Sequence, residues 1–343
     1  MIQSGFSDWA KLQSFLSHRI TEKKVLVIGD NMLDRYYFGD VRRISPEAPV
    51  PIALIKEVKE TLGGAANVCH NLARLGCQVY VAGITGNDYM REMMLRLLEE
   101  QNINYEGLLT VSDRPTITKT RVMGGHQQIL RLDFEESAPL VGKYEKALVG
   151  YINKMAPVVD SIVISDYGKG VCTPKLCQAV INEGASRGTP VIVDPKGNDW
   201  RKYKNAYLVT PNLKELGEAA KVILDNEDIS AERVAKKVRT RFHLANLLVT
   251  RSEKGMSLVT DDDTVHIPTM AQEVFDVSGA GDTVVAVVSA ALAEGIKRSD
   301  AARIANIAAG VVVGKLGTYA ISKNELVEAI FSNYHVKIGD ESQ

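Results

Sequence analysis

The chain has 343 residues, 45% hydrophobic and 24% charged, a balance that fits one large α/β domain or two small ones. Its formal net charge of −1 argues against a global field for nucleic acid or an anionic membrane, so an anionic ligand must be held by local Lys and Arg. Cys69, Cys77, Cys172 and Cys177 lack metal-ligand spacing and read as reduced, packed thiols. No apolar run reaches the ~18 residues of a spanning helix. The N-terminus lacks a signal-peptide core, so the expected location is cytoplasmic.

Phe6, Trp9, Leu12, Phe15, Leu16 and Ile20 recur at helical spacing, which predicts an N-terminal helical extension over 1–23, docked on a domain spanning 24–335. Residues 336–343 read as a tail. Val25-Leu26-Val27-Ile28 predicts a buried strand. Segment 36–60 carries Pro46, Pro49 and Pro51 beside an alternating run, which favours edge strands. Gly63-Gly64 opens a helix reaching about Leu75, followed by a strand at 79–84 and a helix near 88–100. Segment 105–134 reads as short strands. From 142 the rhythm is regular: helix 143–155, strand 161–165, helix 173–187, strands 190–194 and 206–210, helices 213–223 and 230–241, strand 246–250. A β segment at 256–276 and helices 280–295, 299–315 and 323–332 complete the chain.

Buried strands alternating with helices predict a three-layer α/β/α fold around a mostly parallel sheet. The segments 36–60 and 105–134 break that rhythm and are expected to form a small β-sheet lid. Ligands in such folds sit beyond the carboxyl ends of the strands. Gly279-Ala280-Gly281-Asp282 lies at such a junction, before an apolar helix. Its small residues admit a ligand to the backbone, and the helix start favours an anion. Asp282, in the first helical turn, is expected to stay ionised and to accept a proton from an attacking hydroxyl. Taken alone, the tetrapeptide reads equally well as a capping turn. A P-loop and the protein-kinase motif set are absent from the sequence.

With these residues in view, the chain resembles the ribokinase-like (PfkB) carbohydrate kinases. Gly63-Gly64-Ala65-Ala66-Asn67-Val68 with Leu75-Gly76 is similar to the family's first signature, and Asp276-Val277-Ser278-Gly279-Ala280-Gly281-Asp282 to its second. The resemblance covers residues 24 to about 333. It implies a Rossmann-like sheet with a lid closing over the sugar, Asp282 as base, and an anion hole of Gly279, Ala280 and Gly281. Asn212 and Glu215 match the family's Asn-x-x-Glu element, with Glu215 acting through water on Mg²⁺ beside ATP; as bare residues they are a helix capping box. The resemblance further implies that Asp34 and Asn67 bind sugar, with Gly63 and Gly64 beside them. Thr250, Ser252 and Gly255, with Asn306 and Gly310, fall to ATP. Asp276 and Ser278 mark a place for a monovalent cation such as K⁺.

Further stretches, among them Arg43–Pro51, Gln127–Glu136, Ser165–Gly170 and Asp194–Gly197, resemble one subfamily, the D-glycero-β-D-manno-heptose 7-phosphate kinases that form the 1,7-bisphosphate for ADP-heptose and lipopolysaccharide. Many members carry a second, nucleotidyltransferase domain. The sequence has no His-x-Gly-His, so adenylyl transfer is expected from a separate protein. Arg43, Lys119, Arg121 and Arg131 in the lid segments, with Lys169 and Lys196 after strands, suit a phosphorylated sugar; Asp166 is grouped with them as a substrate contact. These cations otherwise read as charges that blunt sheet edges. Exposed lid edges suggest a homodimer. Kinases for other sugar phosphates, and a silent sugar-binding protein on the same fold, are the rival readings.

Overall fold

A computed structural model describes residues 5–333 except 126, 272 and 316. The expected C-terminal tail, 336–343, lies outside the described residues. The N-terminal extension is the helix α1 (Trp9–Ser17), capped by the Asp8 carboxylate, and a 3-10 turn (Arg19–Glu22). Leu12, Phe15, Leu16 and Ile20 are buried, so the apolar stripe docks on the domain as its spacing requires.

Among the described residues, nine strands form the large sheet. Its parallel strands are β1 (Lys24–Gly29), β4 (Gln78–Thr85), β5 (Asn104–Thr110), β8 (Ser161–Ser165), β9 (Val191–Asp194), β10 (Leu208–Val209) and β11 (Leu247–Thr250). β12 (Met256–Val259) and β13 (Thr264–Ile267) extend it antiparallel, in the order β13-β12-β11-β10-β9-β8-β1-β4-β5. Helices α2 (Ala65–Arg74), α3 (Tyr89–Glu100), α8 (Ala280–Ala293), α9 (Arg298–Val312) and α10 (Lys323–Asn333) join α1 over one face. Helices α4 (Lys143–Met155), α5 (Pro174–Arg187), α6 (Leu213–Ala220) and α7 (Asp228–Phe242) cover the other. The continuous apolar run of β1 follows from this layering. Val25 and Val27 enter one core, Leu26 and Ile28 the other. No helix among the described residues is long and apolar enough to cross a membrane.

The small sheet has the order β3-β2-β6-β7, from β2 (Asn31–Ile44), β3 (Pro51–Gly64), β6 (Thr118–Gly124) and β7 (Gln127–Phe134). Three expectations change here. The lid begins at Asn31, directly after β1, because β2 pairs with β3 along its whole length. Gly63 and Gly64 end β3, and the helix starts at Ala65. Residues 104–110 leave the lid for the large sheet. Leu108 packs into one core and Leu109 against the other, as a central-sheet strand must. Pro51 does sit on an edge strand.

The strand ends Gly29, Ser165 and Asp194 lie in one row across β1, β8 and β9. A Cβ on Gly29 would stand 1.9 Å from the Ser165 carbonyl oxygen, so only glycine lets these two strands close at the site's edge. Gly29→Ala should lower stability by about 1–3 kcal/mol, visible as an earlier urea midpoint; an unchanged midpoint would show that the strands part freely.

Candidate active site

The turn before α8 is built without a side-chain cap. Gly279 takes the N-cap position at φ 81°, a left-handed conformation suited to glycine. Among the described residues, the amides of Gly279, Gly281 and Asp282 have no acceptor, whereas that of Ala280, expected in the anion hole, is taken by the Val277 carbonyl (3.2 Å). A Cβ on Gly281 would meet nothing within 4 Å. The helix start therefore presents open N–H groups to an adjoining space, as an anion site requires. Asp276 braces the turn from behind. Its two oxygens accept the amides of Ser278 (2.9 Å) and Gly317 (3.1 Å). The expected cation ligand is thus engaged in holding the loop.

Asp282 is 7% exposed. Asn67 Nδ2 donates to Oδ2 (2.6 Å) and the Tyr167 hydroxyl to Oδ1 (2.8 Å). The two signature segments, 215 residues apart, thereby meet on one carboxylate. Burial pushes this acid up to about 6, against the two hydrogen bonds and with help from the Asp34 charge. A carboxyl raised to about 6 is still mostly ionised at neutral pH, in keeping with the expectation of a charged acid, but it holds its proton more tightly than an exposed one.

On the lid side, Asp34 is buried and paired with Arg121. Gly63 makes room for it, since a Cβ there would lie 2.5 Å from Asp34 Oδ2. Gly64 (φ 56°) does the same beside the Asp30 carbonyl. Strand register puts Asp34 opposite Lys119 and Tyr36 opposite Arg121, then Lys119 opposite Asp133 and Arg121 opposite Arg131. One face of the lid thus carries these charges. Each cation has a carboxylate: Lys119 meets Asp133 (3.1 Å) and Glu135 (3.3 Å), Lys169 meets Glu135, and Arg131 meets Asp133 (2.8 Å). Arg43 is not brought to the site. It lies nine residues beyond Asp34 along an extended strand, about 30 Å away.

After β8 the chain makes a tight loop. Asp166 accepts the Gly168 amide (2.7 Å), the Tyr203 hydroxyl (2.6 Å) and Lys202 Nζ (2.5 Å). Both oxygens of this buried group are engaged, so Asp166 serves as a hub of the loop. Asp30, Asp166 and Cys172 offer donor atoms within 4.8 Å of one another, the one such grouping among the described residues. The carboxylates already accept six N–H and O–H donors, which fits a hydrogen-bonded core rather than a cation. A cavity of about 620 Å³ opens behind this loop, lined by Ser137, Thr173, Gln178 and Lys202; the Gly279–Asp282 turn takes no part in it.

On the nucleotide side, the capping box is real. Asn212 Oδ1 accepts the Glu215 amide (2.9 Å) and Glu215 Oε2 accepts the Asn212 amide (3.0 Å). Glu215 Oε1 meets Lys196 Nζ at 3.2 Å. Asp194, at the end of β9, is near enough to Asp282, Glu215 and Lys196 to feel their charges. Burial first, then the charges of Asp282 and Glu215, hold its carboxyl well above the usual range. Sequence reasoning passed over Asp194 and Tyr167, although both follow or end a strand at the carboxyl edge. Thr250 ends β11, and Ser252 and Gly255 turn the chain back with positive φ. Asn306 donates to the Pro268 carbonyl (2.7 Å), and a Cβ on Gly310 would press on Ala271. These two residues seat the 268–271 segment on α9, a packing role that the sequence did not distinguish from an adenine contact.

A helix start with open amides, a buried carboxylate with a raised proton affinity and further carboxylates close by suit phosphoryl transfer to a hydroxyl. The fold is similar to that of the ribokinase of Arabidopsis thaliana solved with ribose and ATP (TM-score 0.72, 17% identity, covering 90% of this chain and 99% of that one). Phosphofructokinase-2 of Escherichia coli, solved with potassium, is alike to the same degree (TM-score 0.73, 19% identity, 92% and 99% covered). In sequence the chain is similar to the bifunctional protein HldE of Methylobacillus flagellatus, 45% identical over 92% of this chain and 65% of that protein. The namesake from Citrifermentans bemidjiense is 45% identical over 93% and 66%. The chain thus spans about 65% of the length of these relatives. The family model described as pfkB family carbohydrate kinase matches residues 22–325, and this chain belongs to that family.

Proposed function

We propose that this kinase transfers the γ-phosphoryl group of ATP to the anomeric hydroxyl of D-glycero-β-D-manno-heptose 7-phosphate. The product is the 1,7-bisphosphate, on the route to ADP-heptose and the lipopolysaccharide inner core. The observation that carries the reading is Asp282, buried at the start of α8 beside unpartnered amides. A carboxylate there would repel a phosphate, so its natural task is the proton of the attacking hydroxyl. The new O–P bond forms as the bond from γ-phosphorus to the bridging oxygen breaks, ADP leaves, and the hydroxyl proton passes to Asp282. The amides of Gly279 and Gly281 meet the charge on the moving group. Asp194 and Glu215 would hold Mg²⁺, directly or through water, and the ion would there neutralise phosphate charge. A place for K⁺ at Asp276 and Ser278 is kept from the resemblance alone, since both Asp276 oxygens accept loop amides.

The choice of a phosphorylated acceptor rests on the lid. Lys119, Arg121 and Arg131 share one face near Asp34, and Lys169 approaches through Glu135. Four cations around three carboxylates carry one positive charge in excess, which suits an anion that a bare sugar would not bring. The opposite face of β7 turns Leu130, Leu132 and Phe134 outward, exposed by 50%, 42% and 54%. Val58 of β3 continues this apolar face, which suits a homodimer through the lids.

Incubation with ATP, Mg²⁺ and the heptose 7-phosphate should release ADP and give a phosphate on O-1 by NMR; phosphorylation of other sugars alone would remove the acceptor assignment. Asp282→Asn should lower kcat by about 10²–10⁴-fold, with both substrates still bound in calorimetry. For the wild type, kcat/KM should rise with pH through about 6 and then level, because the base works only when ionised. Lys119→Ala should raise KM for the sugar phosphate by about tenfold and leave KM for ATP within about twofold. Light scattering should give twice the chain mass, falling to one chain when Leu132 and Phe134 are made polar; a monomeric wild type would contradict the dimer.

A further inference from the structure

The loop after β8 is held from beneath in an unusual way. The Asp30 carboxylate, fully buried, accepts the amides of Tyr167 (2.9 Å) and Lys169 (2.9 Å) on Oδ2 and that of Val171 (3.1 Å) on Oδ1. Alternate amides of one loop thus point at one anion. Gly168 (φ 70°) and Gly170 (φ 98°) make this possible, because left-handed backbone between the three donors turns each N–H the same way. Among the described residues, no Lys or Arg pairs with Asp30. A charge buried without a counter-ion is costly, and burial pushes its carboxyl up despite the three amides. Packing alone does not call for such a group.

The loop delivers Tyr167. Its hydroxyl donates to Oδ1 of Asp282 at 2.8 Å, the oxygen that Asn67 leaves free. Lys169, two residues on, is paired with Glu135 just beyond the last lid strand, so the loop is also tied to the lid. We propose that Tyr167, fixed by Asp30, is a positioning residue that orients the Asp282 carboxylate and sustains its ionised form for the acceptor hydroxyl. This rests on the reading of Asp282 as the base. The groups facing Asp282 are Asn67 from α2, Tyr167 from the loop and Asp34 from β2 with its partner Arg121; Asp194 stands at the end of β9. Of these, Asn67 and Tyr167 favour the charged form, while Asp34 opposes it.

Tyr167→Phe removes one donor and leaves the ring. With ATP and the heptose 7-phosphate, the acid limb of kcat/KM should move up by roughly one pH unit. At neutral pH kcat should fall by about tenfold, while KM for both substrates stays within about twofold. Asp282→Asn is measured beside it and should keep only its low residual turnover, with no acid limb to shift. A crippled Asp282→Asn with an unmoved limb in Tyr167→Phe overturns the proposal alone. So does a Tyr167→Phe enzyme whose KM values change while its limb stays in place, since that marks packing only. Retained turnover in Asp282→Asn overturns the base assignment and the proposal with it. Asp30→Asn turns an amide donor toward the loop N–H groups and should move the limb in the same direction.

Discussion

A carboxylate buried at a helix start needs hydrogen-bond donors, and the site is arranged around supplying them to Asp282. The open amides of its own turn face the adjoining space. The two oxygens therefore draw donors from elsewhere, Asn67 on α2 and Tyr167 on the loop after β8. That requirement ties three distant stretches of chain to one point. It explains why α2 must begin immediately after β3, placing Asn67 within its first turn, and why the β8 loop is clamped. Without the donors, desolvation would neutralise the acid and end its use as a base.

The layers were legible because burial on two faces leaves a plain mark: runs such as Val25–Ile28 and Ile162–Ile164 between amphipathic helices. The Gly63–Asn67 and Asp276–Asp282 segments were legible because their residue types are fixed by backbone clearance and by charge. Residues 104–110 were misplaced because a short strand covered on both faces and a lid strand look alike over seven residues. What decides is the neighbour, and β4 is not adjacent in sequence. The roles of Asp166 and Tyr167 were hidden for a similar reason. Lys202, Tyr203 and Asp282, which define them, lie 36, 37 and 115 residues away.

The lid cations show a limit of another kind. A count of Lys and Arg suggested an anion pocket, yet the fold gives each of Lys119, Arg121, Arg131 and Lys169 an internal carboxylate. Most of these groups are largely covered, Arg131 being the more exposed one. They keep the lid face ordered without a strong field, and a ligand phosphate would enter by exchanging partners rather than by filling a vacancy. The acids of the lid are therefore as much a part of acceptor selection as the bases.

The capping box of α6 has a consequence for how such enzymes vary. Glu215 closes the first turn of α6 and meets Lys196, and in the proposed reaction the same carboxylate would serve Mg²⁺. Loss of a cap costs about 1 kcal/mol of stability, whatever happens to catalysis. Under the proposed role, substitution at this position would be penalised twice, through folding and through chemistry, and the two penalties separate in glutamine. That residue can still close the box, but it carries no charge.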